Sequence, residues 1–362
     1  MPGRQPTGTR LPIIAALFSL TLVLSATALA ISHNADPAAA PPLRALAGEH
    51  GLYIGTAVQS GPLESDPRYA GLVAAEFNMI TPSWEMKFEP LVPRQGSYHF
   101  AAVDAIVAYA EQHDLAVRGH TLVWHQQMPE WFAEGDFTRE ESIAVLRDYI
   151  TTVVGRYRGR VFAWDVVNEA LEDDGSLRET IWLERIGPEY IELAFRFAHE
   201  ADPGALLFYN DFSAEGLNPK SNAVYELVRG LQAKGVPIHG VGLQMHIGLT
   251  NSPAPYEVEA NMARLGELGL QVHITEMDVH LTEAAGSLDR RLERQAEMYR
   301  QMLSICLESD ACTAFGMWGF TDAESWLQEQ ISPDEQPLIF DRDYQPKPAY
   351  DALSDTLRTH VD

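Results

Sequence analysis

The sequence contains few cysteines and few basic residues. Of its 362 residues only two are cysteines, and 26 lysines and arginines face 51 aspartates and glutamates, which gives a formal charge of −25. A chain this acidic repels nucleic acid and anionic membrane surfaces, so nucleic acid is excluded as a partner. The expected partner is neutral or cationic.

Several catalytic motifs are also missing. The histidines lack HExxH-type spacing and no histidine lies near the cysteines, so no metal site is predicted. The absence of a GxSxG turn argues against a serine esterase. Five residues separate Cys306 from Cys312, and a disulfide closes such a loop if the side chains face each other. Two buried free thiols are the alternative.

Only the first part of the chain has a long hydrophobic run. Residues 11–31 carry no charge, follow two arginines and contain a small-x-small pattern at Ala28–Ala30. This pattern predicts a signal peptide over residues 1–30 and a secreted protein. The run is long enough to span a bilayer, so an uncleaved membrane anchor is the alternative. Residues 31–45, rich in alanine and proline, are predicted to be a linker.

Residues 46–362 alternate short apolar runs with longer amphipathic stretches, which predicts strands alternating with helices. Eight such units are typical of an α/β fold of the single (β/α)8 TIM barrel type. An open doubly wound sheet is the alternative, but no glycine-rich phosphate turn follows the first strand. The predicted strands are Tyr53–Val58, Asn78–Thr81, Ala116–Leu122, Phe162–Val167, Leu206–Asn210, Gly240–Gln244, Gln271–Thr275 and Thr313–Met317. The predicted helices and their glycine stops are Ala101–His113, Glu140–Arg156, Val224–Ala233, Glu257–Leu268, Leu288–Leu307, Gly230, Gly235, Gly266 and Gly269.

Polar and aromatic residues follow six of the predicted strands. In a TIM barrel the functional residues gather at the C-terminal ends of the strands, where the loops form one face. The sequence therefore predicts a site at this end of the barrel. The segments are His120–Gln127, Trp164–Glu169, Tyr209–Asp211, Gln244–His246, Thr275–Asp278 and Trp318–Asp322.

Two glutamates stand out in these segments, because Glu169 and Glu276 each end a predicted strand. A retaining glycosidase needs one carboxylic acid that protonates the leaving oxygen and one carboxylate that attacks the anomeric carbon, about 5–5.5 Å apart. The alternative is that both are ordinary surface acids, of which the chain has many. Their shared position at strand ends favours catalysis.

The residues around the two glutamates suit a sugar. Tryptophan faces pack against pyranose rings, and amide or ammonium groups bond to hydroxyls. Core packing is the alternative for each tryptophan, and the histidines either support the glutamates or belong to the core. The candidate substrate-binding and supporting residues are Lys87, His120, Trp124, Gln127, Asn168, Tyr209, Gln244, His246, Trp318 and Trp326.

Seven segments of the sequence resemble glycoside hydrolase family 10, the β-1,4-xylanases. The resemblance spans nearly all of residues 50–355, and WDVVNE and ITEMDV are its most specific motifs. It implies a (β/α)8 barrel and a retaining endo-1,4-beta-xylanase that acts on xylan or xylo-oligosaccharides without a cofactor. A monomer is expected. The segments are RGHTLVWHQQMPEW, WDVVNEAL, LLFYNDF, GVGLQMHI, ITEMDV, WGFTDAESW and PLIFDRDYQPKPAY.

The resemblance also implies roles for single residues. Glu169 matches the acid/base of the family and Glu276 its nucleophile. Asn168 matches a residue that bonds the 2-hydroxyl of the sugar next to the cleavage point. His246 and Asp278 match the partners that orient the nucleophile.

Further matches lie on the glycone side, the part of the site that holds the sugar transferred to the nucleophile. Gln127 and Trp326 match a pair that crowds a C6 hydroxymethyl group, which favours xylose over glucose. Cys306 and Cys312 match a disulfide of many family members. The other matching residues on this side are Lys87, His120, Trp124 and Trp318.

One segment departs from the family. Members usually have T-x-E-N-x-M-K-W after the second strand, whereas this chain has TPSWEMKF. Ser83 and Trp84 thus replace a glutamate and an asparagine that bond the sugar one unit beyond the cleavage site, while Lys87 is kept. Phe212 replaces a common tyrosine on the leaving-group side, and Leu327 stands where an arginine is frequent. We expect weaker binding on the glycone side, since a charged hydrogen bond contributes about 1.5–3 kcal/mol.

Two other functions remain open. The altered segment fits a related β-glycanase or an exo-acting glycosidase built on the same site. A carbohydrate-binding protein without catalysis is the alternative from another class, and the presence of both Glu169 and Glu276 argues against it.

Overall fold

The computed structural model describes Gly3, residues 41–282 and residues 284–360. The predicted signal peptide or anchor, Gly3 apart, lies outside the described residues, as do residues 31–40 of the predicted linker. Among the described helices none is long and apolar enough to cross a membrane.

One closed parallel sheet lies at the centre of the fold. The nine strands of the described residues are β1 (Tyr53–Val58), β2 (Met79–Pro82), β3 (Ala116–Gly119), β4 (Ala163–Asn168), β5 (Leu206–Asp211), β6 (Gly240–Leu243), β7 (His246–Gly248), β8 (Gln271–His280) and β9 (Cys312–Met317). The strands β1 to β6 pair in sequence order, β6 pairs with β8, β8 with β9, and β9 with β1, so the sheet closes into a barrel. This arrangement confirms the predicted (β/α)8 TIM barrel.

Helices connect the strands. Because they cover the outside of the sheet, β4 and most of β5 are buried on both faces. The fourteen helices of the described residues are α1 (Leu43–Glu49), α2 (Ser60–Ser65), α3 (Pro67–Glu76), α4 (Phe88–Leu91), α5 (Ala101–Gln112), α6 (Glu130–Ala133), α7 (Arg139–Arg156), α8 (Ile181–Ile186), α9 (Tyr190–Ala201), α10 (Pro219–Ala233), α11 (Pro255–Glu267), α12 (Leu288–Glu308), α13 (Leu327–Gln330) and α14 (Pro348–Thr359).

Helix α7 illustrates why the sequence forms these elements. Thr138 accepts a hydrogen bond from Glu141 N at 3.3 Å, and the Glu141 carboxylate accepts one from Thr138 N at 2.8 Å. This capping box satisfies two backbone donors that the first turn leaves free. Leu146, Ile150 and Val153 then recur at helical spacing and are buried against the barrel.

All eight predicted strands are present, but three of them differ in extent. The third was predicted to continue to Leu122 and ends at Gly119. The sixth ends at Leu243, and β7 begins after Met245, whose φ is 64°. A non-glycine residue with positive φ leaves the β conformation, so the strand is interrupted there. The seventh predicted strand continues through His280 as β8, which places Glu276 inside a strand rather than after it.

Two of the four glycines predicted to end helices lie inside them instead. Gly230 belongs to α10 and Gly266 to α11. Gly235 and Gly269 follow these helices with φ of 65° and 74°. Positive φ is where glycine has its advantage at a helix end, so the glycine just past the helix is the stop.

The predicted boundary between linker and barrel is also corrected. Residues 43–45, predicted as the end of the linker, belong to α1, and Leu43 and Leu46 are buried in the hydrophobic core. Leu43 N donates to Glu76 Oε2 at 3.0 Å. The folded unit therefore begins before residue 46.

The two cysteines form a disulfide. Cys306 lies near the end of α12 and Cys312 begins β9. The bridge therefore ties a helix to the N-terminal end of a barrel strand, at the face opposite to the C-terminal strand ends. The predicted pairing is confirmed, and the alternative of two free thiols is wrong.

Candidate active site

Extra residues in two strands position the two predicted catalytic glutamates. In β4, Asp165 pairs with Phe208 and Val167 with Tyr209, so Val166 has no counterpart. Such a bulge re-aims the side chains that follow it. Glu169 comes two residues after Val167 and adopts a φ of 57°.

The strand that carries Glu276 has the same kind of irregularity. Ile274 pairs with Phe315 and Met277 with Met317, so β8 has one residue more than β9 over this stretch. Glu276 lies within the stretch. Close to each glutamate, its strand therefore has one residue more than the neighbouring strand with which it pairs.

Both glutamates line one cavity of about 440 Å³ at the C-terminal ends of the strands. Ten of the predicted site residues line this catalytic cavity together with three that the sequence did not assign to substrate binding. The full set is Lys87, His120, Trp124, Gln126, Asn168, Glu169, Phe212, Gln244, His246, Glu276, Trp318, Trp326 and Gln330.

The carboxylate of Glu169 is held by neutral donors. Trp124 Nε1 donates to its Oε2 at 2.7 Å, while Gln244 Nε2 and Asn168 Nδ2 donate to Oε1 at 2.9 and 3.1 Å. His125 Nδ1 lies 3.8 Å from Oε2, and burial lowers the pKa of that imidazole despite the nearby carboxylate. The hydrogen bonds to the oxygens of Glu169 therefore all come from uncharged indole and amide groups.

The carboxylate of Glu276 faces imidazoles instead. Asn210 Nδ2 donates to its Oε1 at 2.7 Å, His246 Nε2 lies 3.3 Å from Oε2, and His120 Nδ1 lies 3.8 Å from Oε1. Burial raises the pKa of this carboxyl, but the positive charge on His120 and the hydrogen bond from His246 outweigh burial. The pKa of Glu276 is therefore lowered from its usual value. An ionised carboxylate is the state that a nucleophile requires.

His246 lies between two carboxylates. Its Nδ1 is 3.0 Å from Asp278 Oδ2, and its Nε2 faces Glu276. Burial lowers the pKa of this imidazole, but the charges of Asp278 and Glu276 outweigh burial and raise the pKa well above its ordinary value. Trp326 Nε1 donates to the same Asp278 oxygen at 2.8 Å. Asp278 does not line the cavity and acts through His246.

Three amide side chains connect the two glutamates. Gln244 Nε2 bonds Asn168 Oδ1 at 3.2 Å in addition to Glu169, and Asn210 Nδ2 bonds Asn168 Oδ1 at 2.8 Å in addition to Glu276. Asn210 is absent from the predicted site residues, although it occupies a strand end beside Tyr209. Its position at a strand end was the signal, since the strand-end amides of Asn168 and Gln244 were assigned a role on the same ground.

A buried ionic cluster on β3 and β4 supports the site from below. Arg118 Nε donates to Asp165 Oδ2 at 3.1 Å, and His120 Nδ1 lies 3.0 Å from the same oxygen. Burial raises the pKa of Asp165, but the charge of Arg118 and the hydrogen bond of His120 outweigh it and lower the pKa. Asp165 thus orients the imidazole that faces Glu276. Sequence reasoning missed this cluster, whose signal is a charged residue inside each of two apolar strands.

Lys87 forms a cationic part of the cavity wall. Its Nζ lies 4.6 Å from the centre of the Trp124 ring and 5.8 Å from that of Trp318, close enough for cation–π attraction. Burial lowers the pKa of this ammonium group, while the charges of Glu276 and Glu169 oppose that shift.

Besides Asp278, two predicted substrate-binding and supporting residues, Gln127 and Tyr209, lie outside the cavity wall. The Gln127 carbonyl accepts a hydrogen bond from Glu89 N at 2.9 Å, and its neighbour Gln126 lines the cavity instead. Gln127 has a φ of 53°, which turns the chain between the two side chains.

Tyr209 is fully buried and supports the site without contacting the cavity. Its hydroxyl donates to Asp211 Oδ2 at 2.5 Å and accepts a hydrogen bond from Ala170 N at 3.1 Å. Ala170 follows Glu169 directly, so Tyr209 fixes the turn from which the acid/base candidate projects.

The two residues that depart from the family pattern are separated in the structure. Ser83 is half-buried, and Trp84 is 43% exposed and lines neither the catalytic cavity nor the one beside it. Ser83 lines a neighbouring cavity that shares Trp318 and Trp326 with the catalytic one.

The acidic residues of the site do not form a metal centre. In the part of the chain that the structure describes, no group of three or more histidine, cysteine, aspartate or glutamate side chains is arranged to hold a metal ion.

Similar proteins carry the same fold and much of the sequence. The chain is 44% identical over 319 residues to endo-1,4-beta-xylanase B of Thermotoga neapolitana, which covers 87% of this chain and 91% of the relative. The crystal structure of native xylanase 10B from Thermotoga maritima matches with a TM-score of 0.85 and 44% identity, covering 88% of this chain and 98% of that one. Xylanase 10B from Thermotoga petrophila RKU-1, solved in complex with xylobiose, matches with a TM-score of 0.85 and 43% identity, covering 88% and 97%.

The family profile described as Glycosyl hydrolase family 10 matches residues 42–356, nearly the whole of the described barrel. This match agrees with the resemblance that the strand-end motifs carry. The chain belongs to glycosyl hydrolase family 10.

Proposed function

We propose that the chain is a retaining endo-1,4-beta-xylanase that cleaves internal β-1,4-xylosidic bonds by double displacement. The observation that carries this proposal is the pair of carboxyl groups in one cavity with opposite surroundings. Neutral donors surround Glu169, and imidazoles surround Glu276. A retaining glycosidase needs one carboxyl group that exchanges a proton and one that stays ionised until it attacks.

In the first step Glu169 protonates the glycosidic oxygen, and the bond from that oxygen to the anomeric carbon breaks. A Glu276 carboxylate oxygen attacks the same carbon from the opposite side of the ring and forms a glycosyl ester. The shortened chain on the leaving side departs with the proton of Glu169. His246 and Asn210 hold the nucleophile oxygens in place through this step.

In the second step the ionised Glu169 takes a proton from water, and the hydroxide oxygen bonds to the anomeric carbon. The ester bond to Glu276 breaks, and the sugar leaves with its original configuration. Glu169 ends the cycle protonated. The N–H groups of Trp124, Asn168 and Gln244 hold the carboxylate of Glu169 in position through hydrogen bonds.

The remaining wall suits binding of a sugar chain. Trp318 and Trp326 offer ring faces, and Lys87 offers a charged donor to hydroxyls. The relative from Thermotoga petrophila was solved with xylobiose, which supports a xylo-oligosaccharide as the ligand of this cavity.

The test compares products from linear xylan, xylohexaose and carboxymethylcellulose. We expect internal cleavage of the xylose polymers with little release from the cellulose derivative, and proton NMR should detect the β-anomer first. Glu276→Gln and Glu169→Gln keep the size of the side chain and serve as matched controls. Release of xylose units only from one chain end would favour an exo-acting enzyme, and preference for the glucan would favour a related β-glycanase.

We also propose that the chain is exported and works as a monomer. The hydrophobic run with its small-x-small pattern supports export, and the disulfide suits an oxidising compartment. N-terminal sequencing of protein from the culture medium tests cleavage after the signal peptide. Recovery only in the membrane fraction would favour the anchor, and light scattering of the purified protein tests the monomer.

A further inference from the structure

A charged side chain crosses the interior of the barrel, where layers of apolar side chains are usual. Arg118 lies on β3 and is fully buried. Around the closed sheet, β3 and β8 are four strands apart in either direction, so they face each other across the interior. Arg118 bonds to Asp165 through Nε and Nη2, and its Nη1 lies 2.6 Å from Nδ1 of His273 on β8.

The hydrogen-bond partners of His273 define its protonation state. Arginine only donates, so Nδ1 of His273 accepts the hydrogen bond from Arg118. Thr313 Oγ1 donates to Gln271 Oε1 at 2.9 Å, and it therefore accepts from His273 Nε2 at 2.8 Å. The ring thus carries one proton, on Nε2, and is neutral. Burial and the charge of Arg118 lower the pKa of His273 well below its ordinary value, which agrees with this state.

Arg118 is the one charged side chain that contacts the His273 ring among the described residues. The rings of Phe162 and Phe208 also pack against the imidazole, with centres 6.3 and 4.2 Å from it. The guanidinium carbon of Arg118 lies 4.6 Å from the centre of the Phe208 ring. In such a buried place an N–H group without an acceptor is costly. The position of Arg118 therefore depends on its acceptors.

The strands that carry Arg118 and His273 also carry two groups of the site. His120 follows Arg118 by two residues, and Glu276 follows His273 by three, over the stretch where β8 has an extra residue. His120 Nδ1 lies 3.8 Å from Glu276 Oε1 and 3.0 Å from Asp165 Oδ2. The same two strands thus approach each other twice across the barrel, and Asp165 contacts a residue of each approach.

We propose that His273 is a positioning residue for Glu276. As the neutral acceptor of Arg118, it fixes β8 against β3 and keeps the guanidinium group on Asp165. Asp165 in turn orients His120 beside the nucleophile. The inference rests on the proposed function, in which Glu276 attacks the sugar. His273 does not line the catalytic cavity, so it acts on the attack rather than on substrate binding.

The test measures the pH profiles of kcat and kcat/KM on linear xylan and an aryl xylobioside for two variants of His273. His273→Leu fills the space without an acceptor, whereas His273→Asn keeps an oxygen near the place of Nδ1. In the leucine variant we expect kcat to fall about 3- to 30-fold with KM within about twofold, because the nucleophile is misplaced. The acid limb of kcat/KM should rise by about half a pH unit, since a displaced His120 favours ionised Glu276 less. The asparagine variant should regain most of both losses.

Two further variants separate positioning from packing. Phe162→Leu changes a ring that packs on His273 but leaves the hydrogen bonds, so it should lower Tm without moving the acid limb. Thr313→Val removes the hydroxyl that holds the proton on Nε2, and it should shift the acid limb upward by less than His273→Leu does. The other charged groups that face Glu276 are unchanged in every variant: His246, Lys87 and Glu169.

Nitrogen-15 NMR of the histidine rings tests the predicted state directly. We expect the ring of His273 to be neutral with its proton on Nε2 between about pH 5 and pH 8. A proton on Nδ1 in this range overturns the inference, and so does an acid limb that stays in place in both His273→Leu and Thr313→Val.

The remaining outcomes are also decisive. Equal profiles for His273→Asn and His273→Leu overturn the inference, because the acceptor then has no role. If His273→Leu does not fold, Thr313→Val and the NMR spectrum decide. All of these results overturn the inference alone. If the unchanged protein does not cleave linear xylan, the proposed function fails and the inference fails with it.

Discussion

The surroundings of Glu169 and Glu276 differ more than the two side chains do. Both are glutamates, both are largely buried at 8% and 4% exposure, and both lie close to a stretch where their strand has one extra residue. The first accepts hydrogen bonds from an indole and two amides, and the second is flanked by two imidazoles. We therefore expect the neighbours, rather than the residue type, to distinguish the proposed acid/base from the proposed nucleophile.

The two glutamates also differ in the residues that lie behind their direct neighbours. The groups that tune Glu276 are themselves tuned by carboxylates one step further out, Asp278 behind His246 and Asp165 behind His120. Such second partners fix the orientation and charge of an imidazole. The hydrogen-bond donors of Glu169 are instead an indole and two amides, which carry no charge.

The largest expected effect comes from removing the nucleophile. Glu276→Ala should lower kcat on xylan by about 10,000-fold or more, because the covalent step loses its attacking atom. Added azide should then occupy the emptied space and yield a glycosyl azide of inverted configuration, detected by NMR. Unchanged activity of this variant on xylan would contradict the proposed mechanism.

Removing the acid/base should have the next largest effect. Glu169→Ala should lower kcat on xylan by about 100- to 10,000-fold, since the leaving oxygen receives no proton. An aryl xylobioside with an acidic phenol needs little protonation, so its first step should be nearly normal and show a burst of phenol. Azide should here give the retained configuration. Inverted azide from this variant would exchange the roles of the two glutamates.

The charged neighbours of the nucleophile can be removed separately. Glu276 has a lowered pKa in the folded protein, partly through His246, and it must be ionised to attack. His246→Gln should therefore raise this pKa and shift the acid limb of the kcat/KM profile upward by about one pH unit. Asp278→Asn should shift it in the same direction by less, since His246 remains. An unmoved acid limb would show that the imidazole does not tune the nucleophile.

A neutral neighbour of the acid/base should matter less. Trp124→Phe removes the N–H that donates to Glu169 at 2.7 Å and keeps most of the ring. The loss of one hydrogen bond of about 0.5–1.5 kcal/mol corresponds to a decrease in kcat/KM of up to about tenfold. Trp131→Phe is the matched control, because its indole donates to the Val92 carbonyl outside the catalytic cavity. Equal losses in both variants would argue against a specific role of Trp124.

The smallest effect on catalysis is expected at the opposite face of the barrel. Replacing Cys306 and Cys312 by serine opens a loop with a sequence separation of 6, which costs about 2–3 kcal/mol of stability in the chain-entropy description. Thermal unfolding should show a lower Tm, while kcat/KM at a temperature well below it stays within about twofold. A large loss of activity in the folded double variant would mean that this end of the barrel is coupled to the two glutamates.

The barrel was predictable from the sequence because strand and helix periods alternate cleanly along the chain. The bounds of strand β1 and helix α5 agree with expectation to within a residue. The interruption of the sixth strand was not predictable, since it depends on a positive φ at Met245, a residue type that gives no local signal for it. The start of α1 was missed for another reason: its leucines are buried by distant parts of the fold, and local composition there resembles a linker.

The site was predictable to the extent that residue type and strand-end position determine chemistry. Ten predicted residues line the catalytic cavity with both glutamates among them. Gln127 does not line the cavity. Its positive φ turns the chain at this point, and the neighbouring Gln126 lines the cavity instead. Asn210 and Asp165 act through partners on other strands. Such contacts are long-range in sequence, so no pattern within a single segment reveals them.

The extra residue in each catalytic strand has a consequence for transplanting or evolving this site. Side chains alternate between the two faces of a strand, so deleting one residue before Glu169 or Glu276 would turn that carboxylate from the lumen toward the helices. In β4 and β8 the number of residues is therefore as important for the direction of the glutamate side chain as the identity of the residues. A designer who copies the glutamates and their neighbours onto another barrel must copy the count of residues as well.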